Sequence, residues 1–209
     1  MAASRRRGFG LLACLMMALA GCVASSGTAV RQITDPVLAG AYIPLSKTTD
    51  LGIDHDEGAA VAIAPGIAVT NAHNANLVDP ERVIGKSAGY DLLFFHTNRQ
   101  AAPPDAPVMI GEAVTAYGQG ADGELRIAHG VVRTIQPCPG CGPSAWFTFA
   151  GDAGPGFSGG PVLDAQGHLL GITFGYKDEG GIRLIYAYEM ARVRAELRRV
   201  LPPLPQGRN

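Results

Sequence analysis

The chain has 209 residues, enough for one or two domains, and its 47% hydrophobic content supplies a packed core and excludes wholesale disorder. Its formal charge of -1, with 17 basic and 18 acidic residues and no block of either sign, excludes the electrostatic footprint of a nucleic-acid binder. With 28 glycines and 15 prolines, turns must be frequent, which favours an all-β chain over a helical bundle.

Residues 1–21 read as an export signal. Arg5, Arg6 and Arg7 form a positive start, and residues 9–20 an apolar run too short for a permanent membrane span. Leu19-Ala20-Gly21-Cys22 follows, and small residues before a cysteine resemble the lipobox of bacterial lipoproteins. The resemblance implies cleavage before Cys22, acylation of its thiol and a membrane-anchored mature chain. An ordinary signal peptide with a nearby cleavage site is the alternative. Val23 stands where an Asp would imply inner-membrane retention, so the implied location is the cell envelope, at the outer membrane facing the periplasm. Residues 22–36 are expected to be a tether, small and polar from Ser25 onward.

From there short β-prone runs alternate with turn signals. Residues 59–63 and 67–70 flank Pro65-Gly66 and read as a hairpin. Residues 90–95 form another apolar strand candidate, and residues 98–107, with three prolines, a linker. Further strands are predicted over residues 108–117, 125–135, 145–149, 161–163 and 168–174. Asp164-Ala165-Gln166-Gly167 is a hairpin turn, with Gly167 at the position needing positive φ. Residues 189–201 alone read as a helix. Met190, Val193, Leu197, Val200 and Leu201 share one face, the arginines lie elsewhere, and Pro202-Pro203 stops it.

Cys138-Pro139-Gly140-Cys141 admits three readings. A tight disulfide pinning a loop suits an oxidising compartment and is the one expected. A redox pair belongs at a helix start near a βαβ pattern, and a zinc site needs a second ligand pair; the sequence offers neither.

Three segments could carry chemistry. Gly156-Phe157-Ser158-Gly159-Gly160-Pro161 sets a hydroxyl among glycines, which let successive N–H groups curl toward one cavity. A Ser hydroxyl is a poor nucleophile unless a base takes its proton and donors hold the resulting oxyanion. The Gly156 and Ser158 amides are the candidate donors. Val69-Thr70-Asn71-Ala72-His73 places a histidine, a candidate general base, at a strand edge. Asp91-Leu92-Leu93 heads an apolar strand with a carboxylate, which an imidazole N–H would satisfy. Taken singly, each has a plainer reading: a glycine turn, a surface histidine, a solvated strand-end acid.

Together, and in the order His, Asp, Ser, the three segments resemble those of trypsin-like (chymotrypsin-fold) serine peptidases, whose motifs read Thr-Ala-Ala-His, Asp-Ile-Ala-Leu and Gly-Asp-Ser-Gly-Gly-Pro. The resemblance spans about residues 59–174. It implies an all-β fold of two six-stranded antiparallel β-barrels with a C-terminal α-helix, and a triad of His73, Asp91 and Ser158 in the cleft between them. The peptidase domain would run over residues 37–201: a first barrel (37–97), the linker (98–107), a second barrel (108–186) and the helix (187–201). Residues 202–209 would be a tail. Thr173, Phe174 and Gly175 would form the strand that pairs with substrate backbone, and Asp152 the floor of the primary side-chain pocket, favouring Arg or Lys.

Two departures qualify the match. Only 18 positions separate His73 from Asp91, so the first barrel must be trimmed, and Asp79 is the fallback acid. Phe157 replaces the Asp that receives a freed amino terminus in digestive members, so activation of that kind is not expected. The implied activity is a membrane-anchored serine endopeptidase acting on protein or peptide substrates, with no metal or cofactor and no nucleic-acid partner. A silent peptide-binding fold and an esterase with the same triad are the rival readings.

Overall fold

A computed structural model of the chain describes residues 26–48, 55–120, 123–137 and 145–201. In chain order it contains β1 (Thr28–Ala29), α1 (Pro36–Ala41), β2 (Tyr42–Thr48), β3 (His55–Ala64) and β4 (Ile67–Thr70). Two 3-10 turns, Ala72–Leu77 and Pro80–Arg82, lead to β5 (Val83–Lys86) and β6 (Leu93–His96). The second half holds β7 (Ala113–Gly118), β8 (Arg126–Gln136), β9 (Trp146–Ala150), β10 (Pro161–Leu163), β11 (Leu169–Glu179), β12 (Ile182–Glu189) and α2 (Met190–Val200).

The strands form two sheets. In the larger, β8, β7, β10, β11, β12 and β9 pair in that order, and β9 pairs back onto β8, closing a six-stranded barrel with β1 added outside β8. The smaller sheet has the order β2-β3-β4-β6-β5 and stays open. The expectation of two barrels is therefore corrected to one closed barrel, one open five-stranded sheet and a C-terminal helix. The short interval between His73 and Asp91 supplies the physical reason. It is spent on two 3-10 turns and a four-residue strand, which leaves too little chain for the strand pair that closure requires.

Alternation along the strands builds the cores. In β6, Phe94 faces the core shared with the barrel and α2, whereas Phe95 joins Leu45, Ala60, Ala68 and Leu93 on the opposite side. The barrel interior is filled by Val114, Phe147, Phe149, Phe157, Val162, Leu170 and Ile185. Burying a Phe or Leu side chain contributes roughly 1.5–3 kcal/mol, so these three clusters dominate the stability.

Local chemistry sets the connections. Gly66 turns the β3–β4 hairpin at φ +77°, and Gly167 has φ +84° at the foreseen position of the β10–β11 turn. There the Asp164 carboxylate accepts the Gln166 and His168 amides, each at 2.8 Å. Burial raises the Asp164 carboxyl, but these bonds and the His168 ring outweigh it and hold the group below its ordinary range. The stretch joining the sheets is fastened to α2. Arg194 makes two bonds to Asp105, at 2.7 and 2.8 Å, and one to the Ile63 carbonyl at 2.6 Å.

One further expectation is withdrawn. No disulfide bond is found among the described residues, and Cys138 and Cys141 lie outside them. A spacing of three positions does not by itself provide the Cβ separation and dihedral angle that a disulfide needs. Residues 1–25, which include the expected export signal and Cys22, also lie outside the described residues.

Candidate active site

His73 sits on the 3-10 turn after β4, with its side chain 48% exposed and reachable from solvent. Asp91, in the turn before β6, reaches it twice. Oδ1 accepts the His73 backbone N–H at 2.9 Å, and Oδ2 lies 2.5 Å from Nδ1. This second contact makes Nδ1 the protonated nitrogen and leaves Nε2 free to accept a proton. The fallback acid Asp79 instead caps the second 3-10 turn, accepting the Glu81 amide at 3.1 Å.

Asp91 is itself anchored from both sheets. Asn71 donates to its carbonyl at 3.0 Å, and its N–H donates to the Tyr188 hydroxyl of β12 at 3.1 Å. Burial raises the Tyr188 phenol above its ordinary value against the opposing pull of that N–H, so the phenol stays neutral beside the carboxylate. Tyr188 stacks on Phe174 with 4.1 Å between ring centroids, and Tyr90 meets it edge-on at 5.6 Å.

Ser158 belongs to the loop between β9 and β10, and that loop docks on the smaller sheet beside His73. Its carbonyl accepts Ala59 N–H at 2.9 Å and the Asn74 side-chain amide at 3.0 Å. Asn74 is buried, follows His73 directly and also donates to Thr70 Oγ1. One short turn thus presents the histidine and grips the backbone of the serine. Among the described residues, no hydrogen bond joins the Ser158 hydroxyl to the His73 ring.

Gly156 and Gly159 have φ of +84° and +83°, which β-carbon-bearing residues rarely adopt. These turns divide the loop's amides into two groups. Phe157 N–H donates to Gly154, Gly159 N–H to Thr173 and Gly160 N–H to Phe157. The Gly156 and Ser158 N–H groups, the expected oxyanion donors, have no protein acceptor among the described residues.

The Ser158 side chain lines a pocket of about 260 Å³, together with Gly154, Pro155, Thr173, Gly175, Tyr176 and Ile185. None of these carries a formal charge. Asp152 is exposed and does not line it; its charge instead acts on Arg183. Thr173 is buried, with Oγ1 lacking a hydrogen-bond partner, and Gly175 opens the pocket wall. Phe174 occupies a bulge in the β11–β12 pairing, which turns its ring onto Tyr188.

The sequence reading missed Asn74, Tyr188 and Asn71 as supports. Asn74 was legible as a polar residue beside a candidate base. Tyr188 lies 97 positions from Asp91 and carried no local signal.

Comparison with known proteins agrees with the fold. The family profile described as Trypsin-like peptidase domain matches residues 70–172. No curated protein matches the chain. Among solved structures, the active form of the Rv3671c protease from M. tuberculosis is similar at a TM-score of 0.65 and 19% identity, covering 82% of this chain and 87% of that one. The HtrA-type protease AlgW with a tripeptide has a TM-score of 0.59 at 19% identity, over 77% of this chain and 59% of its own. The chain thus spans about three fifths of that relative. A serine endoprotease from Yersinia pestis has a TM-score of 0.62 at 17% identity, over 78% of this chain and 64% of its own. At such identities the shared property is the fold.

Proposed function

We propose that this chain, with its trypsin-like serine-peptidase fold, is a serine endopeptidase anchored in the bacterial cell envelope by a lipid on Cys22. Ser158 attacks the scissile carbonyl while His73 Nε2 takes its proton. Asp91 holds the ring in the required tautomer, and the Gly156 and Ser158 amides receive the oxyanion. His73 then protonates the leaving amine, and water, deprotonated by the same ring, hydrolyses the acyl-enzyme.

One observation carries the reading. The turn that presents His73, already oriented by Asp91, also binds the Ser158 backbone through Asn74, next to two uncommitted amides. The neutral pocket favours an uncharged side chain before the scissile bond, in place of the Arg or Lys that an acid floor would select. Past Thr173, whose carbonyl and N–H are held by Gly159 and Gly160, the backbone at Phe174–Gly175 suits pairing with an extended substrate. Peptide-library cleavage by the purified protein, with Ser158→Ala as control, tests this. The parent should cleave and the variant should not; equal cleavage by both removes Ser158 from the mechanism.

The uncharged pocket beside Ser158 would hold a peptide side chain whether or not the hydroxyl reacts, which supports a second reading, a peptide-binding lipoprotein of the same fold without turnover. Saturable peptide binding with no Ser158-dependent cleavage would support it.

A further inference from the structure

The segment just ahead of the folded domain is not a free tether. Ser26 is buried, and β1 pairs with the edge of β8 through Thr28–Ile127 and Ala29–Arg126. The Val30 amide donates to Leu125, and Arg126 donates to the Gly27 carbonyl at 3.3 Å. These contacts seat residues 26–29 against the loop that leads to Ser158.

Three observations tie the segment to that loop. The Gly27 N–H donates to the Asp152 carbonyl at 3.0 Å. A β-carbon on Gly27, which has φ +69°, would lie 2.8 Å from Phe157 Cζ and 2.7 Å from the Ile127 carbonyl oxygen. A β-carbon on Gly154 would lie 2.0 Å from Ser26 Oγ. Phe157 is the buried residue between the two uncommitted amides, and Gly154 accepts its N–H. Moving Ser26 or Gly27 therefore moves Asp152, Gly154 and Phe157, and with them the directions of the Gly156 and Ser158 N–H groups.

We infer that residues 26–29 form a brace that sets the oxyanion loop, with Ser26 and Gly27 as positioning residues; this rests on the peptidase reading above. The brace works by backbone pairing and close contact with Phe157, and requires no charged amino terminus. Four residues, roughly 14 Å of extended chain at most, lead from Cys22 to Ser26. Attachment to the membrane and alignment of the oxyanion donors thus fall on one short segment.

The test compares Gly27→Val with Gly111→Val in the full chain. Gly111 shares the strained conformation at φ +85°, but a β-carbon there meets nothing within 4 Å. Gly27→Val should lose about a hundredfold in kcat/KM on a chromogenic ester, comparable to removing one oxyanion donor. Amide hydrogen exchange in residues 151–158 should rise about tenfold relative to β11. Gly111→Val should stay within about twofold of the parent in both measurements. Unchanged exchange at residues 151–158 in Gly27→Val overturns the brace, whatever the activity. If the parent shows no Ser158-dependent turnover, the peptidase reading fails while the exchange measurement still decides the brace. Ser26→Leu, which crowds Gly154 without straining the backbone, decides by the same exchange readout should Gly27→Val not fold.

Discussion

Asp91 grips His73 at two points, accepting its backbone N–H at 2.9 Å and standing 2.5 Å from Nδ1. The carboxylate thus fixes both the position of the turn and the tautomer of the ring. In Asp91→Asn one amide oxygen can still hold the backbone, but the NH2 group faces Nδ1 and favours the wrong tautomer. By analogy with the established triad, kcat should fall about ten-thousand-fold with the melting temperature nearly unchanged. Steady-state hydrolysis beside a thermal melt measures both, and a loss below about tenfold would remove Asp91 from the proposed role.

Asp91 depends in turn on α2. Glu196, with its side chain 4% exposed, accepts the Ser87 hydroxyl at 2.8 Å, and Ser87 Oγ accepts the Gly89 and Tyr90 amides. Arg192, 3.6 Å from Glu196, lies over the Tyr90 ring at 4.9 Å. Glu196→Ala removes one counter-charge of buried Arg192 and the acceptor of the Ser87 hydroxyl, and should destabilise the fold by about 1–3 kcal/mol. Denaturant unfolding checks it, and a change below about 1 kcal/mol would contradict the assigned burial.

These elements mark what could be read in the sequence. His73, Asp91 and Ser158 stood out because each sits in a short segment whose residue types answer one chemical need. Gly167 was placed correctly because positive φ is a property of a single residue. Residues 182–189, now β12, went unread because Ile182-Arg183-Leu184-Ile185 has no strict alternation and runs directly into a helical pattern. The apolar stripe of α2 was legible, yet burial of Arg192 and Glu196 was not. Periodicity locates apolar faces, whereas an i,i+4 ion pair goes inside only if distant residues, here Ser87 and Tyr90, receive it. Barrel closure likewise depends on which strand edges meet, and only the short His73–Asp91 interval hinted at the open sheet.

The pocket makes a prediction about specificity. Since Asp152 is exposed and outside the pocket lining, Asp152→Asn should leave the relative cleavage of substrates with Lys, Ala or Leu before the scissile bond within about twofold. A selective loss of Lys substrates by more than about tenfold would return Asp152 to the pocket floor. Parallel kcat/KM measurements on a matched peptide series decide it.

Gly159 tests how the two halves meet. A β-carbon there would lie 2.1 Å from the Ala59 carbonyl oxygen and 2.2 Å from Thr70 Oγ1, on a backbone with φ +83°. Gly159→Ala should lower stability by at least about 1–3 kcal/mol from strain alone and lift the Ser158 loop off the smaller sheet. Calorimetry and activity together should both register the loss; an unaltered melting temperature would contradict the docking.

The most direct test is labelling by a fluorophosphonate, followed by mass spectrometry to locate the adduct. Ser158 should be modified rapidly at neutral pH, at a rate lowered at least about a thousandfold in His73→Ala. No adduct on Ser158 in the folded parent, or equal rates with and without His73, would contradict the triad mechanism.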